Sequence, residues 1–259
     1  MSPAKTPTRT SWEPVAEWYA EWVGEEGSVQ HRQVTIPAVL ELLALRRGEQ
    51  VLDIGAGPGL LAPAVARTGA HYTGVDASPK LLTIARRRHG RYGRFLLADV
   101  LALPEAAEIR AGSFDVAVFL LSIQDMDPLQ DVLRCVAWAL RGGGRVVMVM
   151  THPCFRVPRL SGWGWDDRRH MHYRRIDRYL TPLPVPMATA GPSSPATVRY
   201  HRPLQEYVNG LAQHGFLVDR LLEIPNVASH VGGRRLKGEH LAMREFPVFL
   251  GLRARKVSD

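Results

Sequence analysis

The chain has little cysteine and no long apolar run. Only Cys135 and Cys154 occur among its 259 residues, which is too few for a disulfide framework and favours a reducing compartment. No stretch of roughly eighteen apolar residues is present, so a transmembrane helix is not expected. The first residues carry no apolar core of the secretory type. We therefore expect a cytoplasmic protein without a membrane partner.

Lysine and glutamate are missing from the most basic segment of the chain. Residues 151–202 contain nine arginines against three aspartates, and this segment thus carries six of the eight net positive charges. The rest of the chain has the small net charge of an ordinary protein surface. Whatever the positive charge attracts is expected to meet the protein at this segment.

Short apolar strands alternate with amphipathic helices along most of the chain. The pattern predicts strands at residues 50–54, 71–75, 94–97, 114–121, 145–150, 216–224 and 246–255, and helices at 11–23, 36–45, 60–69, 79–88, 127–140 and 203–214. This alternation is typical of a parallel sheet with helices on both faces. Ser11 and Ser78 are the predicted N-caps, and the proline-rich residues 182–195 are predicted to form a loop.

A glycine-rich turn, GAGPG at residues 55–59, follows the first strand. Such a turn lets a ligand approach the backbone, and the helix after it favours anionic groups. Asp53 precedes the turn, where a carboxylate would repel a pyrophosphate but suits an ammonium group. Leu60 stands where the dinucleotide-binding pattern GxGxxG requires a glycine, which argues against a dehydrogenase. Asp76 ends the second strand, where a carboxylate can accept both hydroxyls of a ribose, and Asp99 follows the third strand.

Five motifs, VLDIGAGPG, GVDAS, ADV, FDVAVFLLSIQ and LRGGGRVVMV, occur in the order and spacing typical of one family. In them the chain resembles the class I S-adenosylmethionine-dependent methyltransferases over about residues 45–152. Further stretches, among them THPCFR and SGWGWDD, resemble a bacterial subgroup of methyltransferase-domain proteins whose substrates we do not name. The resemblance implies an α/β fold with a doubly wound, mostly parallel, seven-stranded Rossmann-like sheet whose last strand is antiparallel. It also implies one methyltransferase domain over residues 1–259, with a helical cap at 11–45 and a substrate lid formed by the insertion 151–202.

The resemblance implies that S-adenosylmethionine lies across the carboxyl ends of the first four strands. The methionine part is expected near Asp53, Gly55, Ala56 and Gly57, the ribose near Asp76 and Ala77, the adenine near Asp99 and Val100, and the sulfonium near Ser122 and Gln124. Tyr19 and Arg32 are expected to bind the carboxylate of the cofactor. For Tyr19, packing within its helix is the alternative.

Residues 151–180 combine three histidines, one cysteine, two tryptophans and seven arginines. A metal site would use His152, Cys154, His170 and His172, but the His-x-Cys spacing does not match the usual zinc patterns, and no metal is expected. Arginines among aromatic residues also suit single-stranded RNA, although no RNA-binding module accompanies them. A lid over a small-molecule pocket accounts for both the aromatic walls and the basic residues.

We therefore expect methyl transfer to a small, polar or anionic molecule, with oxygen or nitrogen favoured as the methylated atom, by an in-line displacement that depends on positioning. The expected substrate-binding residues are His31, Arg156, Trp163, Trp165, Tyr173, Tyr200 and Arg202. His152 and His201 are predicted as acid–base or orienting groups, with a purely structural role as the alternative for each. An RNA methyltransferase and a non-catalytic binder of the cofactor stay open as other functions. The chain is expected to be a monomer or a homodimer.

Overall fold

The computed structural model describes residues 10–189, 194–225 and 236–258, with the backbone alone for residues 236–240. Its helices are α1 (Ala16–Val23), α2 (Ile36–Leu43), α3 (Ala62–Arg67), α4 (Pro79–His89), α5 (Leu129–Ala139), α6 (Leu204–Gln213) and α7 (Leu236–Glu245). Its strands are β1 (Gln50–Ile54), β2 (His71–Asp76), β3 (Gly93–Leu97), β4 (Phe114–Leu120), β5 (Leu140–Thr151), β6 (Ser161–Asp166), β7 (Met171–Ile176), β8 (Leu183–Met187), β9 (Thr197–His201), β10 (Phe216–Pro225) and β11 (Pro247–Lys256).

Seven strands form one sheet in the order β10-β11-β5-β4-β1-β2-β3. The pairs among β1 to β5 are parallel, whereas β11 runs antiparallel to both of its neighbours, β5 and β10. The order reverses between β1 and β4, because the chain first builds outward to β3 and then returns to the other side of β1. The α/β fold and the antiparallel last strand that the resemblance implied are confirmed.

Successive apolar residues of the central strands point to opposite faces of the sheet, and helices cover both faces. In β1, Leu52 and Ile54 belong to a core that includes residues of α5 and α6, and Val51 belongs to a second core with residues of α2, α3 and α4. No helix within the described ranges has the length and apolar character needed to cross a membrane.

The insertion between β5 and α6 contains two antiparallel hairpins, β6–β7 and β8–β9. The prediction of a loop at residues 182–195 is therefore wrong for Leu183–Met187, and residues 190–193 lie outside the described residues. Pro184 and Pro186 are tolerated in β8 because, among the strands of the described residues, β8 pairs with β9 alone and is thus an edge strand. Because the two prolines are two positions apart, the backbone nitrogens that lack a hydrogen lie on the same edge of the strand.

The N-terminal elements differ from the prediction at their ends. A 3-10 turn at Glu13–Val15 precedes α1, and Ser11 does not cap it; the Ser11 hydroxyl instead accepts a hydrogen bond from the backbone N–H of Val198 at 3.4 Å. Ser78 is the predicted N-cap of α4, since its hydroxyl accepts from the N–H of Leu81 at 3.2 Å. The second helix ends before residue 45 because Ala44 adopts a left-handed conformation with φ of 44°.

Candidate functional site

A cavity of about 890 Å³ opens at the carboxyl ends of β1, β2, β3 and β4. Its walls come from these strand ends, from the N-terminal segment (residues 10–31) and from the insertion. Eleven of the twelve predicted cofactor residues line it: Tyr19, Asp53, Gly55, Ala56, Gly57, Asp76, Ala77, Asp99, Val100, Ser122 and Gln124. Tyr19 lies on α1, and the sheet brings the other ten together because parallel strands end at the same edge, where the strand order reverses.

The glycine turn is held against the end of β2. The N–H groups of Gly55 and Ala56 donate to the carbonyl of Val75 at 2.9 and 3.0 Å, and the N–H of Gly57 donates to Asp76 Oδ2 at 2.8 Å. Gly55 has a φ of +71°, and a Cβ there would lie 2.6 Å from Cβ of Ser122. Only glycine allows this close approach of the turn to the end of β4.

Asp53 is a buried carboxylate, and one of its two oxygens lacks a hydrogen-bond partner among the described residues. Its Oδ2 accepts the hydroxyl of Tyr72 at 2.6 Å, while its Oδ1 has no hydrogen-bond partner among the described residues. Burial raises the pKa of Asp53 to about 7, although the Tyr72 hydrogen bond opposes this shift. A cationic donor at Oδ1 would satisfy this atom and favour the charged form. The carboxylate therefore fits the ammonium group of the cofactor that the resemblance implies.

Asp76 is oriented by backbone donors on both oxygens. Oδ1 accepts from the N–H of Ser78 and Oδ2 from the N–H of Gly57, each at 2.8 Å. Burial raises the pKa of this carboxyl. Because each carboxylate oxygen has a second lone pair, the fixed group can still accept two neighbouring hydroxyls. This geometry fits the ribose of the cofactor.

The ends of β3 and β4 complete this half of the cavity. Asp99 Oδ1 accepts the N–H of Leu101 at 3.0 Å and so begins a 3-10 turn that buries Val100. Ser122 donates its hydroxyl to the carbonyl of Ile54 at 2.6 Å, which joins the end of β4 to that of β1. Gln124 donates to the carbonyl of Leu121, and its Oε1 is without a partner among the described residues.

A polar cluster beside Tyr19 was missed at the level of the sequence. Asp125 accepts from the guanidinium Nε of Arg199 at 3.2 Å and from the side chain of Trp12. Burial raises the pKa of Asp125 to about 6, and that of the Tyr19 hydroxyl well above its usual value. The signal for Asp125 was its place directly after Gln124. No local signal marked Arg199, because the carboxylate with which it pairs lies 74 residues away.

Arg32 does not line the cavity. It is exposed, and its Nη1 donates to the carbonyl of Gly27 at 2.5 Å. The predicted carboxylate clamp therefore does not fit this placement. A π-type turn at His31–Thr35 directs His31 inward and its neighbour Arg32 outward.

Neither of the two predicted acid–base histidines lines this cavity, although His201 borders a small adjoining one. His152 Nδ1 accepts the N–H of Cys154 at 3.2 Å, so its Nε2 carries the proton that is donated to Glu223 Oε1 at 3.1 Å. His201 donates from Nε2 to the carbonyl of Tyr179 at 2.6 Å. Both are buried. Thr151 lines the cavity, and the next side chain along an extended backbone points to the opposite side, so the acid–base prediction for His152 does not fit. For His201 the hydrogen bond to a backbone carbonyl indicates a structural role.

The predicted substrate residues divide into two groups. His31, Arg156, Trp163 and Tyr200 line the cavity, and Trp165, Tyr173 and Arg202 do not. Burial lowers the pKa of His31 to about 4, so its imidazole is neutral at pH about 7 and pairs through Nδ1 with the Ser28 hydroxyl at 2.9 Å.

The other three residues have structural contacts. The Trp165 indole donates to Asp167 at 2.7 Å. The Tyr173 ring packs over Gly164 on the outer side of the β6–β7 hairpin. Arg202 Nη2 donates to Asp127 at 2.7 Å and to the carbonyl of Met126. Alternation along a strand explains the outcome for Tyr173, because its neighbour Arg174, which we did not predict, faces the cavity.

Comparison with known proteins agrees with this geometry. A model of the methyltransferase domain matches residues 52–148, the part of the chain that runs from β1 into β5. The solved S-adenosylmethionine-dependent methyltransferase from Mesorhizobium loti is 27% identical, with a TM-score of 0.70 over 90% of this chain and 100% of its own.

Sequence relatives match a shorter stretch. The demethylmenaquinone methyltransferase of Tropheryma whipplei is 37% identical over 120 residues, 45% of this chain and 48% of the relative. The ubiquinone biosynthesis O-methyltransferase of Idiomarina loihiensis is 34% identical over 99 residues, 38% of this chain and 41% of the relative. The chain thus spans less than half the length of these relatives. Residues 52–148 thus match a methyltransferase domain, and over most of its length the chain is similar to a solved S-adenosylmethionine-dependent methyltransferase.

Proposed function

We propose that this protein transfers a methyl group from S-adenosylmethionine to a small organic molecule. The observation that carries the proposal is that one cavity is lined by the strand-end motifs and by the insertion together. Its volume of about 890 Å³ lies in the range of about 300–1,000 Å³ that is usual for small-molecule sites. The strand-end half would hold the cofactor, and the insertion would close over the acceptor as a lid.

In this proposal the free oxygen of Asp53 accepts the ammonium group, and Asp76 accepts the two ribose hydroxyls. Gly55, Ala56, Gly57 and Tyr19 surround the methionine part, Ala77 lies beside the ribose, Asp99 and Val100 contact the adenine, and Ser122 and Gln124 lie near the sulfonium. When bound, the cofactor supplies a methyl group activated by the adjacent sulfonium. The buried carboxylate and the fixed backbone donors support this arrangement.

The chain's own task is then to position the acceptor on the axis of transfer and to exclude water. His31 is neutral and a weak base at pH about 7, because burial lowers its pKa to about 4. His152 and His201 are engaged in structural hydrogen bonds. We therefore propose catalysis by proximity, without a histidine base, on an oxygen or nitrogen atom. The names of the O-methyltransferase relatives support oxygen.

An RNA acceptor is the second candidate, and the outer face of the β6–β7 hairpin supports it. Arg168, Arg169 and Arg175 are exposed there beside Tyr173. Against it, Arg169 and Arg175 pair with Asp166 and Asp177 at 3.9 and 2.8 Å. Turnover of labelled cofactor with a panel of small hydroxyl and amine compounds, and with total RNA, separates the two. Transfer to RNA alone would overturn the small-molecule proposal.

The cofactor half is tested by calorimetry with S-adenosylhomocysteine. We expect binding in the micromolar range, and Asp76→Ala should weaken it by about 1–3 kcal/mol because charged hydrogen bonds are lost. Asp131→Ala is the matched control, since Asp131 pairs with Arg134 on the surface and lies away from the cavity. Equal affinities of the wild type and Asp76→Ala would contradict the site, and an absence of binding by the wild type would contradict the function.

A further inference from the structure

The charged side chains of the cavity are separated by sign. The carboxylates come from the strand-end half and the loop after β4, and they are Asp53, Asp76, Asp99, Asp125 and Asp127. The guanidinium groups come from the insertion, and they are Arg156, Arg174 and Arg199. Neither lysine nor glutamate lines the cavity within the described part of the chain. The acidic half complements a cationic cofactor, and the basic half is available for a ligand of opposite charge.

Arg156 faces the cavity without an acidic partner. No carboxylate of the described residues lies within ion-pair distance of its guanidinium, which lies 5.6 Å from the centre of the Phe249 ring. Burial lowers the pKa of Arg156, and the positive charges of Arg199 and Arg174 lower it further. The exposed surface of this residue borders the main cavity and a small adjoining one.

Arg174 is held in place by neutral groups. Its Nε donates to the carbonyl of Phe155 at 2.6 Å and its Nη2 to the hydroxyl of Ser161 at 2.9 Å, while the guanidinium lies 5.0 Å from the centre of the Trp163 ring. These contacts orient the charge but do not neutralise it. Of the three cavity arginines, Arg199 alone pairs with a carboxylate of the described residues, that of Asp125.

Arg156 and Arg174 have no acid among the described residues and lie in partly desolvated surroundings, so that their positive charges repel each other at an energetic cost. An oxyanion removes this repulsion and accepts charge-assisted hydrogen bonds from both. The guanidinium of Arg156 lies over the Phe249 ring, and that of Arg174 lies over the Trp163 ring. Both rings also line the cavity and offer apolar surface to the rest of the ligand.

We propose that Arg156 and Arg174 form an oxyanion subsite, which binds a carboxylate or phosphate group of the methyl acceptor and whose walls are Trp163 and Phe249. This inference rests on the proposed methyl transfer and adds the chemical class of the acceptor. The arrangement places a negative acceptor opposite the carboxylates that hold the positive cofactor, so each ligand meets the wall of opposite charge.

The test uses protein saturated with S-adenosylhomocysteine and probes that differ only in charge. Calorimetry compares the affinities of benzoate and phenyl phosphate with that of benzamide. It likewise compares naphthoate and naphthyl phosphate with naphthamide. At least one oxyanion should bind about tenfold more tightly than its amide, a difference of about 1.4 kcal/mol. A carboxylate preference and a phosphate preference distinguish the two sources of the anion, and either supports the subsite.

Variants assign the preference to the arginines. Arg156→Met and Arg174→Met should each reduce the oxyanion affinity to that of the amide, while the amide affinity and S-adenosylhomocysteine binding stay near wild type. Arg168→Met is the control, because Arg168 belongs to the same insertion but is exposed and does not line the cavity. Binding of S-adenosylhomocysteine by each variant shows that it is folded.

Two outcomes overturn the subsite and leave the methyltransferase proposal intact. In one, no oxyanion binds better than its amide although S-adenosylhomocysteine binds. In the other, the preference persists in both arginine variants. Failure of the wild type to bind S-adenosylhomocysteine would overturn the proposed function itself.

Discussion

At the scale of single residues, the burial of Asp53 disfavours the charged form of its carboxyl group. The carboxyl is 2% exposed, accepts one hydrogen bond from Tyr72 and leaves Oδ1 without a partner among the residues described. In the protein without its cofactor, the charged form is disfavoured, which raises the pKa from 3.8 to about 7. Ionisation of this buried carboxyl therefore reduces the stability of the protein at neutral pH.

A pH dependence of stability follows from this shift. Because the pKa of Asp53 is raised in the folded state, its contribution to stability is complete below about pH 4 and is lost as the pH rises through about 7. Asp53→Asn keeps an acceptor for Tyr72 but does not titrate. Urea unfolding from pH 4 to about 8, without cofactor, should show the wild type losing up to about 4 kcal/mol relative to the variant. Parallel pH profiles of the two proteins would refute this assignment.

At the scale of elements, Arg145 joins the first half of the chain to β5. Its Nη1 and Nη2 donate to the two carboxylate oxygens of Glu49 at 2.8 and 2.7 Å, and its Nε donates to the carbonyl of Leu43 at 2.7 Å. The guanidinium thus satisfies the carboxyl end of α2 and lowers the pKa of Glu49 by its hydrogen bonds. Both side chains are largely buried, with 10% and 12% exposed.

Removing this arginine should be costly, since the largely buried carboxylate of Glu49 would keep only the backbone N–H of Arg46, at 2.8 Å, among its described donors, and the helix-end carbonyl of Leu43 would lose the Nε donor. We expect Arg145→Met to lower the free energy of unfolding by about 3–5 kcal/mol in urea titrations. Arg141 offers a matched control in the same strand, because it pairs with Asp115 at 2.5 Å but is 61% exposed. Arg141→Met should cost less than about 1 kcal/mol. Similar losses in both variants would mean that burial of the Arg145 pair does not matter.

At the scale of the whole molecule, Asp125 connects three distant parts of the chain. It follows the end of β4, accepts from Trp12 of the N-terminal segment, and pairs with Arg199 of β9. Ser11 and Val198 meet beside it. The N-terminal segment and the insertion therefore close over the sheet edge around one buried carboxylate.

Loss of this carboxylate should loosen the β8–β9 hairpin, because Arg199 would lose its acid and Trp12 its acceptor. In hydrogen-exchange mass spectrometry, Asp125→Ala should raise the exchange rate of amides in β8 (Leu183–Met187) and β9 (Thr197–His201) by about tenfold, which corresponds to one charged hydrogen bond. Asp131→Ala, at a surface ion pair, should leave these rates unchanged. If the hairpin exchanges equally in both variants, Asp125 does not hold it.

The half of the cavity formed by the strand ends could be predicted from the sequence because its signals are local. Each strand of this half is a short apolar run, and its functional acid or glycine stands next to the strand in the chain, as Asp53, Gly55 and Asp76 do. In a parallel sheet, strand ends meet at one edge whatever the details of packing. Together with the family resemblance, this local order brought ten residues at the ends of β1 to β4 to one cavity, and Tyr19 of α1 joins them there.

The acceptor half was decided by the tertiary structure. His152 turns toward Glu223, 71 residues away, and Arg199 toward Asp125, 74 residues away. In the insertion a shift of one residue moves a side chain to the opposite face of a hairpin, which separates Arg174 from Tyr173. Neither a distant partner nor the face of a two-stranded ribbon is encoded in a local pattern. The sequence by itself determined the sheet and the strand ends that line the cavity, and only packing between distant segments decided which basic side chains enter it.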